Sequence, residues 1–174
     1  NLIATIYLKD GNAVRGREDF TIAGDWKELA RAYNESGVDK LYVFDLSQTD
    51  KEHDIHLAII KQLSRMIEIP VYGAGNINKP EDIKKILYAG CKGAILDGSR
   101  HDIIQMAQEA AQRFGKEKLL VSMETVDLIF KHKKEAEEHI HKLVVLNETI
   151  VESLVNITNI PFSVIVSDYD EAQW

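Results

Sequence analysis

Seven short apolar segments recur along the chain, starting near residues 2, 41, 70, 93, 119, 143 and 162, and turns and helix-like stretches fill the intervals. From the second segment onward the units are mostly about 20–25 residues long, the spacing of successive right-handed βα crossovers. Segments such as Leu2–Leu8, Leu41–Phe44 and Leu143–Leu146 are apolar and β-branched without clean alternation, which fits strands covered on both faces of a parallel sheet. Helix signals lie between them. Asp25 caps a helix through Trp26 to Ser36 that stops at Gly37, and a second helix spans about Lys51 to Ile67 with Ile55, Ala58, Ile59, Leu63 and Met66 turned inward. Pro80 opens a third helix that Gly90 ends, and others cover His101–Phe114, Thr125–His141 and Glu148–Asn156. Ser36-Gly37-Val38-Asp39 before the second strand echoes Ala89-Gly90-Cys91-Lys92 before the fourth. Such regularity predicts an α/β fold of the TIM type, a (βα) barrel with seven parallel strands, over an open doubly wound sheet.

An eightfold barrel usually takes about 200–250 residues or more. This chain has 174, begins in a strand and ends in a helix start at Ser167-Asp168-Tyr169-Asp170-Glu171. The expectation is one barrel-like domain over residues 1–174, incomplete and part of a longer chain. Its open strand edge must then be covered by downstream domains of the same chain or by a second copy, so the protein is expected to be a homo-oligomer.

A formal charge of −7 and the lack of clustered Lys and Arg argue against a nucleic-acid surface. No apolar run reaches the roughly 18–20 residues of a membrane span, and no signal peptide is legible at the start, so no membrane partner and a cytoplasmic location are expected. Cys91 is the single cysteine, in an apolar strand approach, where a buried structural thiol is expected.

α/β sites lie at the carboxyl ends of strands, and several polar groups stand there. Ile69-Pro70-Val71-Tyr72 runs straight into Gly73-Ala74-Gly75, whose amides could converge on an anion; the same letters also serve as a tight βα turn with no ligand. Asp45 follows the second strand, either as a catalytic carboxylate or as a structural acceptor, with Ser47 beyond it. Asp97-Gly98-Ser99 ends the fourth strand and Glu124 sits just past the fifth. Lys9, Arg15, Arg17 and Arg100 are the cations available to a phosphorylated ligand. Lys9-Asp10-Gly11-Asn12 reads as a turn with hairpin chemistry after which Ala13-Val14-Arg15-Gly16 pairs briefly, and the long first loop on to Gly24 is a candidate lid. His53 and His56, beside Glu52 and Asp54, and His139 with His141 lack a third ligand at a recognised spacing, so they read as solvent-facing helix histidines; no metal or cofactor is expected. No Gly-x-Ser-x-Gly elbow, phosphate-binding Gly-Lys-Ser/Thr loop or dinucleotide fingerprint is present.

Lys9-Asp10-Gly11 with Val14-Arg15-Gly16, Gly24-Asp25, Leu29-Ala30, Tyr33, Leu41 to Asp45, Ile69-Pro70-Val71, the Gly73-x-Gly75 turn and Phe114-Gly115 together carry a resemblance. Over about residues 1 to 125 the chain resembles the histidine-biosynthesis barrels, the cyclase subunit of imidazole glycerol phosphate synthase more than the phosphoribosylformimino carboxamide isomerase. The resemblance implies a phosphoribosyl ligand and two catalytic carboxylates, at the ends of the first and fifth strands. Counted from Lys9-Asp10-Gly11, the first of these positions is Tyr7, and the second is Glu124. The family's phosphate contacts fall on Gly73 and Ala74 and on Asp97-Gly98, where a carboxylate would repel phosphate, and its basic first-loop residue falls on Arg15. The chain is also similar to a barrel-like region at the front of longer proteins whose later domains resemble phosphoribosyl-AMP cyclohydrolase and phosphoribosyl-ATP pyrophosphatase. Three readings follow: a noncatalytic or altered scaffold in the histidine pathway, an active cyclase or isomerase pairing Glu124 with Asp45 or Asp10, and an oligomerisation module that binds nothing.

Overall fold

The computed structural model describes residues 2–165, which fall into two compact units that meet in sequence between Ile95 and Leu96. All seven expected strands are present, each starting within a residue of its expected position, and two short strands are added to them.

The first unit contains β1 (Ile3–Lys9), β2 (Asn12–Val14), β3 (Ile22–Gly24), α1 (Trp26–Glu35), β4 (Lys40–Asp45), α2 (Asp50–Met66), β5 (Val71–Ala74), α3 (Pro80–Tyr88) and most of β6 (Gly93–Asp97). Its strands run in the order β3-β2-β1-β4-β5-β6, with β1, β4, β5 and β6 parallel. β2 and β3 are antiparallel to their neighbours, which corrects the expectation of seven parallel strands. The cause is local: Asp10 and Gly11 take φ values of 50° and 78°, the consecutive left-handed pair of a tight hairpin turn, so Lys9 pairs with Asn12 and the chain folds straight back. The polar stretch read as a lid is therefore hairpin, held by Arg15 N–H donating to Thr21 O at 2.9 Å and Gly16 N–H to Asp19 O at 3.0 Å.

Alternation along the strands separates two faces. Tyr7 stacks on Phe44 with ring centroids 5.0 Å apart, and Tyr42 meets Tyr72 edge-on at 5.5 Å. Ile6, Leu8, Leu41, Val43 and Val71 alternate with these, and Ile59, Ile60 and Leu63 of α2 with Ile83 and Ile86 of α3 are buried on the helices. Each of the three helices of this unit starts where its sequence supplies a capping side chain. Asp25 accepts from Lys27 N–H at 2.7 Å, Thr49 accepts from Glu52 N–H at 3.1 Å, and Asp82 accepts from Asn78 N–H at 2.9 Å next to Pro80.

The second unit begins in the last two residues of β6 and continues through α4 (Ile103–Phe114), β7 (Leu119–Met123), α5 (Asp127–His139), β8 (Lys142–Val145), α6 (Val151–Ile157) and β9 (Phe162–Val164). β7, β8 and β9 are parallel neighbours. Helix α5 is interrupted at His132, which has φ −139° and ψ 39°, within a charged stretch whose buried residues are only Leu128, Ile129 and Ala136. The described residues do not show a closed barrel, and no helix among them is long and apolar enough to cross a membrane. Val166 and the helix start expected at residues 167–171 lie outside the described residues.

Candidate functional site

In the first unit, the carboxyl ends of β1, β4 and β5 carry a connected polar cluster centred on Asp45. Asp45 is the last residue of β4, and its side chain is buried. Both of its oxygens are engaged: Oδ2 lies 2.5 Å from His53 Nδ1, while Oδ1 lies 2.6 Å from His56 Nδ1 and accepts from Ser47 N–H at 3.0 Å. Burial acts to raise the Asp45 pKa, but the hydrogen bonds from His56, His53 and Ser47 outweigh it and hold the carboxyl below its ordinary value.

His56 is fully buried, against the expectation that the two α2 histidines face solvent; His53 is half-buried. The reason is that the strand and turn offer His56 a partner at each ring nitrogen. Its Nε2 accepts from Gly11 N–H at 3.0 Å, which assigns the ring proton to Nδ1 and makes that nitrogen the donor to Asp45. Glu52, one turn earlier on α2, accepts from Asp10 N–H at 2.7 Å and Gln48 N–H at 3.0 Å, and Lys9 Nζ lies 3.7 Å from it. Two successive amides of the β1–β2 turn are thus held by side chains of one helix face.

Asn76, at φ 57° just past β5, donates through Nδ2 to Ser47 Oγ at 2.8 Å and Ser47 O at 3.1 Å, tying the β5–α3 turn to the β4–α2 turn. The glycine turn before it fits this packing closely. A Cβ on Gly73 would stand 2.9 Å from Ile86 Cγ2 of α3, and a Cβ on Gly75, at φ +96°, would stand 2.1 Å from the Asp45 carbonyl oxygen. Ala74 is buried between these two, in register with Phe44. Among the described residues no group of three or more His, Cys, Asp or Glu side chains could hold a metal ion.

Tyr7 lies buried near the end of β1, and burial raises its phenol pKa above the ordinary value, against smaller opposing effects from Thr5 and Arg17. Arg15 is exposed on the β2–β3 hairpin. In the second unit Asp97 accepts from Ser99 N–H at 2.9 Å and Ser99 O–H at 2.7 Å, and Gly98 N–H donates to Ser122 O at 2.8 Å. Glu124 is exposed just past β7, and its carbonyl accepts from Asn147 Nδ2 at 3.2 Å. Cys91 is buried, and burial pushes its thiol pKa up to about 12. The first unit therefore gathers Asp45 and the 73–75 turn and adds Glu52, His53, His56 and Asn76, which sequence reasoning did not join to them. The legible signal was two histidines eight and eleven residues beyond a strand-terminal Asp, on the opening turns of the next helix.

A profile of the family described as "Histidine biosynthesis protein" matches residues 1–162. The imidazole glycerol phosphate synthase subunit HisF of Wolinella succinogenes is 30% identical over 125 residues, which are 71% of this chain and 49% of that protein. The HisF subunit of Methanococcus maripaludis strain C5 is 30% identical over 125 residues, 71% of this chain and 46% of the relative. That of Streptococcus sanguinis is 28% identical over 142 residues, 80% of this chain and 54% of the relative. The chain spans about half the length of the curated relatives it matches.

Proposed function

The chain belongs to the histidine biosynthesis protein family, and from that premise we propose that it is a histidine-pathway barrel domain that faces a phosphoribosyl ligand without carrying out the ordinary cyclase reaction. Acid–base chemistry of the kind the resemblance implies needs one group to take a proton and another to give one. Tyr7 is the observation that carries the reading. At the first carboxylate position stands a buried phenol, stacked on Phe44, whose pKa burial moves further above the ordinary value near 10, so it is no base at neutral pH. Asp45 does not supply the missing group readily, because its two oxygens already accept from His53, His56 and Ser47. In this reading Glu124 by itself is one carboxylate where that reaction uses two acid–base groups.

In this reading the domain works as a scaffold or regulatory part of a histidine-pathway protein, in association with phosphoribosyl-AMP cyclohydrolase or phosphoribosyl-ATP pyrophosphatase domains. In the first unit the glycine turn at 73–75 and Arg15, and separately in the second unit Gly98, are the positions this reading keeps as inherited phosphate contacts. Among the described residues β9 pairs with β8 alone and β3 with β2 alone, and such edges call for cover by further chain or by a second copy. The test is calorimetric titration with a phosphoribosyl aminoimidazole compound together with a cyclase assay supplied with ammonia. Saturable binding without turnover is expected. Turnover that Glu124→Gln abolishes would overturn the noncatalytic role, and no saturable binding would overturn the ligand in favour of a bare oligomerisation module.

A further inference from the structure

We propose that His56 is a protonation switch on the Asp10–Gly11 turn: the neutral ring holds the turn through Gly11 N–H, and the imidazolium releases it and turns to Glu52. The neutral state is the one in the structure, with Nδ1–H on Asp45 at 2.6 Å and Nε2 accepting from Gly11 N–H at 3.0 Å. A proton added at Nε2 makes that nitrogen a donor facing another donor, so this bond is lost outright. The bond to Asp45 survives and becomes charge-assisted.

A second acceptor is already within reach. Glu52 Oε2 stands 3.8 Å from His56 Nε2, slightly beyond hydrogen-bonding distance, so a small ring displacement completes the new pair. The groups around the ring are Asp45 from β4, Glu52 and the adjacent His53 from α2 itself, and, from the β1–β2 turn, Asp10 and Lys9, the last 3.7 Å from Glu52. Asp45 and Glu52 provide the countercharges that a buried imidazolium requires.

The turn is built to respond. Asp10 is a non-glycine residue at φ 50°, a left-handed conformation retained here with both turn amides tied to α2. Protonation unties Gly11 directly and makes Glu52 divide its Oε2 between the ring and Asp10 N–H. The β1–β2 turn, three residues past Tyr7, thereby gains a second state governed by one buried proton.

The inference does not depend on the ligand reading, because it is read at an amide with no ligand present. Nuclear magnetic resonance on the full chain follows the His56 ring and the Gly11 amide from neutral pH downward, in shift and in hydrogen exchange. Ring and amide are expected to move with one midpoint, with the Gly11 exchange rate, taken relative to that of an unprotected amide at the same pH, rising about fivefold or more as its bond is lost. In His56→Gln the pH response of Gly11 disappears. Gly11 staying unchanged while the ring titrates, a ring that stays neutral until the chain unfolds in acid, or the same response in His56→Gln each overturns the proposal. Where His56→Gln does not fold, Glu52→Gln decides: loss of the anionic acceptor must move the shared midpoint to lower pH, and an unmoved midpoint overturns the switch.

Discussion

Substitution of Gly75 by alanine separates a glycine required by packing from one kept for a ligand. The added Cβ would stand 2.1 Å from the Asp45 carbonyl oxygen and 3.0 Å from its carbonyl carbon, both backbone atoms of β4 that cannot rotate away. The residue also sits at φ +96°, where a side chain costs about 1–2 kcal/mol. Forcing a methyl into packed structure costs about 1–3 kcal/mol more. The total, about 2–5 kcal/mol, belongs at its upper end because the obstruction is a strand backbone that also holds the Asp45 cluster. Gly73→Ala is the internal comparison: its Cβ would meet Ile86 Cγ2 at 2.9 Å, but that atom ends a side chain and the glycine has no positive φ, so only the packing cost of about 1–3 kcal/mol applies. Urea unfolding followed by far-ultraviolet circular dichroism measures both variants. With a slope of about 2 kcal/mol per molar, Gly75→Ala lowers the midpoint by about 1–2.5 M and Gly73→Ala by about half as much. A Gly75→Ala midpoint within about 0.3 M of the parent, or a larger loss for Gly73→Ala, refutes the argument that packing against β4 fixes the glycine at 75.

Asp45→Asn leaves one acceptor oxygen where the two histidine rings need two, so one imidazole N–H loses its partner at a cost of about 1–3 kcal/mol in urea unfolding at neutral pH. The same carboxyl gives an acid signature. Its folded pKa lies below the ordinary value, so the folded state binds fewer protons; the stabilisation is complete above about pH 4 and is lost as pH falls through the folded pKa. Stability of the parent therefore drops more steeply than that of Asp45→Asn below about pH 4, and parallel curves would remove Asp45 from the account. Cys91, buried and with its thiol pushed up to about 12, stays unmodified by a thiol reagent at pH 8 in the folded protein and reacts fully in urea. Rapid modification of the native chain would refute its burial.

The strand positions were legible because apolar segments punctuated by glycine and acidic turns leave few other structures open. Of the two added strands, β2 was legible in the Asp10-Gly11 hairpin turn and β3 was not. β3 is three residues long with Ile22 and Ala23 exposed, so it carries no buried pattern; it exists because the Asp10–Gly11 turn sends β2 back along β1 and gives β3 an edge to join. Turn chemistry at one dipeptide thus determined the fate of a stretch that composition alone marks as loop. The glycine turn at 73–75 shows a different limit. Its letters suit an anion cradle and a tight packed turn equally, and only the neighbours, Ile86 on α3 and the Asp45 carbonyl on β4, supply a packing reason for each glycine.

Helix α2 explains why the polar cluster escaped the sequence. Apolar periodicity turns Ile55 and Ala58 inward, yet both are exposed, and the buried stripe runs through His56, Ile59, Ile60 and Leu63 with Glu52 at its head. Ile59 and Leu63 fit either phase, so the first turns decide the rotation. There, hydrogen bonding outweighs hydrophobicity. Turning Ile55 inward would bury one more aliphatic side chain, worth about 1.5–3 kcal/mol. It would also take His56 away from Asp45 and Gly11 and Glu52 away from Asp10, leaving a carboxylate and two turn amides to find other partners, each at about 1–3 kcal/mol. The sum favours the observed rotation. A periodicity count that weighs only apolar residues assigns histidine to the outside by construction, whereas a strand-terminal Asp facing the opening turns of the next helix makes the buried histidine the lower-energy choice.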